Sequence, residues 1–81
     1  MAKLLNLTIS RVDAPVFDGG VISVTVPGTE GEMTILADHE ALISVLRAGT
    51  VTVRPESGEP QIFPISQGTI EISNNHATVL I

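Results

Sequence analysis

The chain has 81 residues, 43% of them apolar, with nine acidic residues against four basic ones and a net charge of −5. That length suits one domain, residues 1–81, with a thin core that buries roughly 60% of the extended surface. The cations Lys3, Arg11, Arg47 and Arg54 are scattered and the only aromatics are Phe17 and Phe63, so neither a phosphate footprint nor a stacking platform for nucleic acid exists.

From the N-terminus onward the apolar period is two. Leu5, Leu7 and Ile9 alternate with Asn6, Thr8 and Ser10, which reads as a half-buried strand. Ile22, Val24 and Val26 alternate with Ser23 and Thr25, and Val51 and Val53 with Thr50, Thr52 and Arg54. Ile70 and Ile72 alternate with Glu71 and Ser73, then Ala77, Val79 and Ile81 with Thr78 and Leu80. Between the runs lie turn signals: Asp13-Ala14-Pro15, Asp18-Gly19-Gly20, Pro27 to Gly31, the polar loop Pro55 to Pro60, and Asn74-Asn75, which suits a tight hairpin. Pro64 cannot donate to a ladder and belongs on a sheet edge or a bulge. Asp38 to Leu46 fits either a short helix, with Asp38 as N-cap and Ala41, Leu42, Val45 and Leu46 on one face, or a helical turn running into a strand. The pattern predicts an all-β fold, a small antiparallel β-sandwich or flattened barrel of about ten short strands.

With no cysteine, disulfides, thiolate metal sites and cysteine nucleophiles are excluded. No apolar run approaches the ~18 residues that cross a bilayer. The opening MAKLLNLTIS lacks an unbroken apolar stretch and a small-residue cleavage site, so a signal peptide is not expected. Any membrane association is then borrowed from a partner.

The densest polar stretch, Glu30 to Leu42, holds Glu30, Glu32, Asp38 and Glu40 with His39. Read as catalysis, it offers carboxylates and an imidazole for a metal or for acid/base work. Asp38, His39 and Glu40 are consecutive, however, and consecutive side chains of a strand face opposite ways. Neither a Gly-x-Ser-x-Gly elbow nor a Walker or dinucleotide glycine pattern occurs. No catalytic, cofactor or metal residue is therefore assigned, and the acids read as a solvated loop that keeps a sheet edge soluble.

The order of short motifs adds to this. Val16-Phe17-Asp18-Gly19-Gly20-Val21, then Val26 to Leu36, then Asp38-His39-Glu40-Ala41-Leu42, resembles the epsilon subunit of F-type ATP synthases. Leu46 to Val51, Ser66 to Ile72 and Ala77 to Leu80 continue the likeness in one register. The family usually has Gly-His-Ala-Pro-Leu where this chain has Asp38 to Leu42, so a loop-stiffening proline is missing, and it commonly has Gly-Gly where Gln67-Gly68 stands. The likeness covers the subunit's N-terminal β-sandwich, either as a naturally short form or as a piece of a longer one.

The resemblance implies a non-catalytic rotor subunit, peripheral on the cytoplasmic face of an energy-transducing membrane such as the bacterial cell membrane. Its partners would be the gamma subunit and the c ring, and it would couple proton translocation to ATP synthesis. It implies a c-ring-facing interface at Glu30, Gly31 and Glu32 and a gamma-facing one at His39 and Leu42. The two-helix hairpin that follows the sandwich in longer members, and the nucleotide some of them bind there, is not expected from these residues. Two other readings stand beside it. One is a β-domain adaptor or carrier unrelated to ATP synthase, disfavoured because the only lysine, Lys3, lies outside any turn. The other is a metal-dependent enzyme using His39 and its acidic neighbours.

Overall fold

A computed structural model describes residues 3–81. Met1 and Ala2, which open both the stretch read for a leader and the span 1–81, lie outside the described residues. Nine strands follow one another: β1 (Leu5–Ser10), β2 (Pro15–Val21), β3 (Ser23–Gly28), β4 (Gly31–Leu36), β5 (Leu42–Leu46), β6 (Gly49–Arg54), β7 (Gln61–Ile65), β8 (Gly68–Ser73) and β9 (His76–Leu80). The described residues contain no helix. The all-β expectation holds.

The strands hydrogen-bond in the order β2-β1-β9-β8-β5-β3-β6-β7, with β4 on β3 beside that path. Strand β3 meets β5 only through Gly28 and Leu46. The sheet folds over at that corner, giving a five-stranded layer (β2-β1-β9-β8-β5) against a four-stranded one (β4-β3-β6-β7). Every pairing is antiparallel except β1 with β9, which runs parallel from Asn6 opposite His76 to Ser10 opposite Leu80. No hairpin joins these two strands, so their directions are free of the constraint that a two-residue turn imposes.

Alternation sends one set of aliphatic side chains inward. Leu5, Leu7, Ile9, Val24, Val26, Val51, Val53, Ile70, Ile72, Ala77 and Val79 are all buried, as the period-two reading requires. Ile22 departs from it. There the chain crosses from β2 to β3, the Ile22 amide bonds Arg54 O at 2.9 Å, and Ile22 is half-buried while Val21 and Ser23 face in. At the open side of the sandwich Phe17 of β2 meets Phe63 of β7 edge-on, centroids 6.3 Å apart. Strand β7 ends the path, so Pro64 sits on an edge strand, opposite Thr50 of β6.

Both readings of Asp38 to Leu46 included helix and none forms; only the strand that ended the second reading is present, as β5. Leu42 to Leu46 pair with Ile72 to Gly68 of β8, and Asp38 takes φ 61°, in the left-handed region, whereas an N-cap is extended. A ladder with β8 satisfies the backbone and sends Leu42 and Leu46 to the core. A lone helical turn here could do neither. Asn74 and Asn75, at φ 50° and 59°, form the β8–β9 hairpin turn with the double left-handed geometry that asparagine tolerates.

Candidate functional site

Strands β3, β4, β5 and β6 run the length of the sandwich, so their turns gather at two ends. At one end lies the β3–β4 turn. Thr29 and Glu30 are its central residues, neither takes a positive φ, and Gly31 at φ 138° completes the reversal. A side chain is strained at that φ, which explains the glycine. Gly28 is there for a different reason: a Cβ on it would stand 2.7 Å from Gly31 O. The hairpin is latched to the β5–β6 turn by Thr29 N–H to Val45 O (3.1 Å), Arg47 N–H to Pro27 O (2.9 Å) and Arg47 Nε–H to Gly28 O (3.3 Å). Glu30, Gly31 and Glu32 project from this latched base and are all exposed.

His39 and Leu42 lie at the other end, across the length of β4, about 17 Å at the usual strand rise. The structure thus does not bring the two predicted contact sets together. It places them on opposite rims of one rigid body. His39 is exposed, and its Nδ1 lies 2.7 Å from Glu40 O, so Nδ1 carries the proton and donates. Leu42 is half-buried against the core, opposite Ile72. Asp38 forms a solvent-exposed ion pair with Lys3 at 2.8 Å.

The acids around His39 do not converge. Among the described residues no three His, Asp or Glu side chains group as metal ligands would. The Asp38 carboxylate turns to Lys3, and His39 turns to its neighbour's carbonyl. His76, the other histidine, lies flat on the outer sheet face with Nε2 3.0 Å from Thr8 Oγ1, which in turn lies 3.3 Å from Asp18 Oδ1. One directional chain satisfies all three, His76 donating to Thr8 and Thr8 to Asp18. An open groove of about 570 Å³, lined by Ser10, Arg11, Val12, Thr69, Leu80 and Ile81, lies at the same end as the β3–β4 turn. Arg11 carries its one charged side chain.

Two features escaped the sequence reading. Ile43 and Val45 point out of β5 and are 74% and 58% exposed, Ile43 next to Leu42 and Val45 toward the β3–β4 turn. In LISVL the outward face is apolar as well as the inward one. Asn75 was legible only as a turn residue. Its side chain also reaches across to the His39 loop, a contact between residues 37 apart that no local pattern announces.

Comparison with known proteins sets this geometry in context. Residues 4–81 match the family model described as the beta-sandwich domain of the ATP synthase delta/epsilon chain. The chain belongs to that family. Members similar to this delta/epsilon sandwich include the ATP synthase epsilon chain of a Nitratiruptor species, 36% identical over 77 residues, which are 95% of this chain and 60% of that one. The epsilon chain of Sulfurimonas denitrificans is 35% identical over 81 residues, 100% of this chain and 62% of that one. The delta/epsilon sandwich described here thus spans about three-fifths of the curated relatives it matches.

Solved structures agree on the fold. A chain in the cryo-EM structure of the Euglena gracilis mitochondrial ATP synthase (OSCP/F1/c-ring, rotational state 1) superposes with a TM-score of 0.89 at 28% identity, covering 99% of this chain and 51% of that one. A chain in the central stalk/c-ring structure of the Tetrahymena thermophila mitochondrial ATP synthase gives 0.79 at 20% identity, over 93% of this chain and 60% of that one, which speaks for the fold alone.

Proposed function

We propose that this domain is a non-catalytic rotor element of an F-type ATP synthase. In this reading it joins the gamma subunit to the c ring, at the cytoplasmic face of a bacterial cell membrane, and helps couple proton flow to ATP synthesis. The observation that carries the proposal is the match to the epsilon-chain sandwich over residues 4–81, in a body whose two polar rims stand at opposite ends.

Physical reasoning supports the division of labour. Glu30 and Glu32, on a turn latched by three hydrogen bonds, offer negative charge to basic groups of a ring loop. His39 and Leu42, continued by the exposed apolar Ile43, offer gamma a mixed surface with an aliphatic centre. A linker that transmits torque has to resist shear, and two hydrogen-bonded layers around an aliphatic core do so. No observation favours the carrier reading, since Lys3 stands at the start of β1 in an ion pair and away from a hairpin tip.

The test is association. The 81-residue chain, mixed separately with purified gamma and with detergent-solubilised c ring, is expected to co-elute with both on size exclusion. Glu32→Lys should keep its circular dichroism, because Glu32 is exposed, and should lose ring association while keeping gamma. Removing one attraction and adding one repulsion of ~1 kcal/mol each at 4 Å in water weakens ring binding about 30-fold at low salt. Failure of the parent chain to bind either partner would sink the proposal.

A further inference from the structure

The loop that carries His39, residues 37–41, joins β4 to β5 and is exposed along nearly its whole length. Among the described residues, the hydrogen bonds that tie it to the rest of the fold both fall on Asp38. The Asp38 carboxylate meets Lys3 Nζ at 2.8 Å, and the Asp38 amide donates to Asn75 Oδ1 at 2.8 Å. The ion pair is 62% and 61% exposed on its two sides, and a pair so solvated restrains little. The amide bond to Asn75 is the anchor.

Asn75 itself is held on three sides. Its Nδ2 donates to Leu4 O at 2.8 Å, its own carbonyl accepts from the Asn6 amide at 3.1 Å, and its left-handed φ is built into the β8–β9 hairpin turn. The two side-chain contacts also fix which way the amide points. A flipped carboxamide would set NH₂ against the Asp38 amide and oxygen against the Leu4 carbonyl, losing both bonds. One carboxamide therefore joins the start of β1, the last hairpin and the β4–β5 loop. Asp38 at φ 61° adds to the constraint, since the anchored residue holds a backbone conformation an unrestrained chain seldom keeps.

We propose that Asn75 is a positioning residue for this loop, presetting His39 in one geometry next to the strand-held Leu42 before a partner docks there. The inference rests on the reading of this rim as the gamma-facing surface. A loop that samples several shapes binds with an affinity reduced by the fraction of time it spends in the competent one. Anchoring removes that loss without Asn75 touching the partner.

The experiment compares the full chain with Asn75→Gly, which accepts the left-handed φ and deletes both side-chain bonds. Amide exchange followed by NMR should show the Asp38 amide of Asn75→Gly exchanging about fivefold faster or more, the factor that one net hydrogen bond corresponds to, while the core amides of Val24 and Val53 hold. Gamma affinity should fall in Asn75→Gly, and the loss should vanish in a His39→Ala, Leu42→Ala background, where the loop has nothing left to present. A lost-stability effect would persist in that background, so an additive loss overturns the proposal. An unchanged Asp38 amide in Asn75→Gly overturns it too. Should His39→Ala, Leu42→Ala leave gamma affinity intact, the docking reading of this rim fails, and the exchange data alone then decide whether Asn75 sets the loop.

Discussion

Replacing Gly31 by alanine isolates one physical effect. The glycine holds φ 138°, and a Cβ built there meets no atom within 4 Å, so the added methyl clashes with nothing and the cost is backbone strain alone. Strain in that region costs about 1–3 kcal/mol. The unfolded chain, made less free by the methyl, returns about 0.4–1 kcal/mol of that. The net loss is then on the order of 1–2 kcal/mol, against a total stability of about 4–12 kcal/mol for a chain this long. At about 4–8 °C per kcal/mol for a small domain, thermal unfolding followed by circular dichroism should show Gly31→Ala melting roughly 5–15 °C lower.

Gly58→Ala is the matched control. It too has a positive φ, 92°, and open space for a Cβ, but it lies in the β6–β7 loop at the opposite end from Glu30. It should lose similar stability and, at a temperature where both variants are folded, keep full c-ring association. Gly31→Ala should lose ring association as well, because the strained turn re-aims Glu30 and Glu32. A Gly31→Ala chain that melts with the parent would refute the strain argument. Two variants that bind the ring equally well would separate the turn from the interface.

Three further outcomes follow from burial and backbone geometry. Leu7→Ala, at a fully buried core position, should cost about 2–5 kcal/mol in urea unfolding, whereas Val12→Ala, at 105% exposure, should stay within about 0.5 kcal/mol. Asn74→Gly should melt close to the parent because glycine accepts φ 50°, while the β-branched Asn74→Val should lose about 1–2 kcal/mol to the same thermal scan. Ile43→Asp, on a side chain 74% exposed, should leave the fold intact. In calorimetric titration it should weaken gamma binding about 10- to 100-fold, the loss of a buried aliphatic side chain worth ~1.5–3 kcal/mol.

The fold was largely legible because period-two alternation states both the element type and the face it buries. Leu5, Leu7 and Ile9 read as an inward row and are one. Asn74-Asn75 and Pro64 carry backbone constraints strong enough to show through any context. Where the reading left two options, at Asp38 to Leu46, the local signals were balanced. The decision lay with β8, whose ladder is contributed from over twenty residues away. The parallel pairing of β1 with β9 was illegible for the same reason, since alternation says that a strand exists and nothing about its neighbour's direction.

The candidate site divides along the same line. Glu30, Gly31 and Glu32 form a local motif, and the structure adds only the latch beneath them. The His39 rim is assembled from Lys3, Leu4, Asp38 and Asn75, residues that touch only once the first and last strands lie side by side. The parallel pairing that alternation could not reveal is what brings Asn75 to Leu4. The rim's geometry is therefore tied to the closure of the sheet.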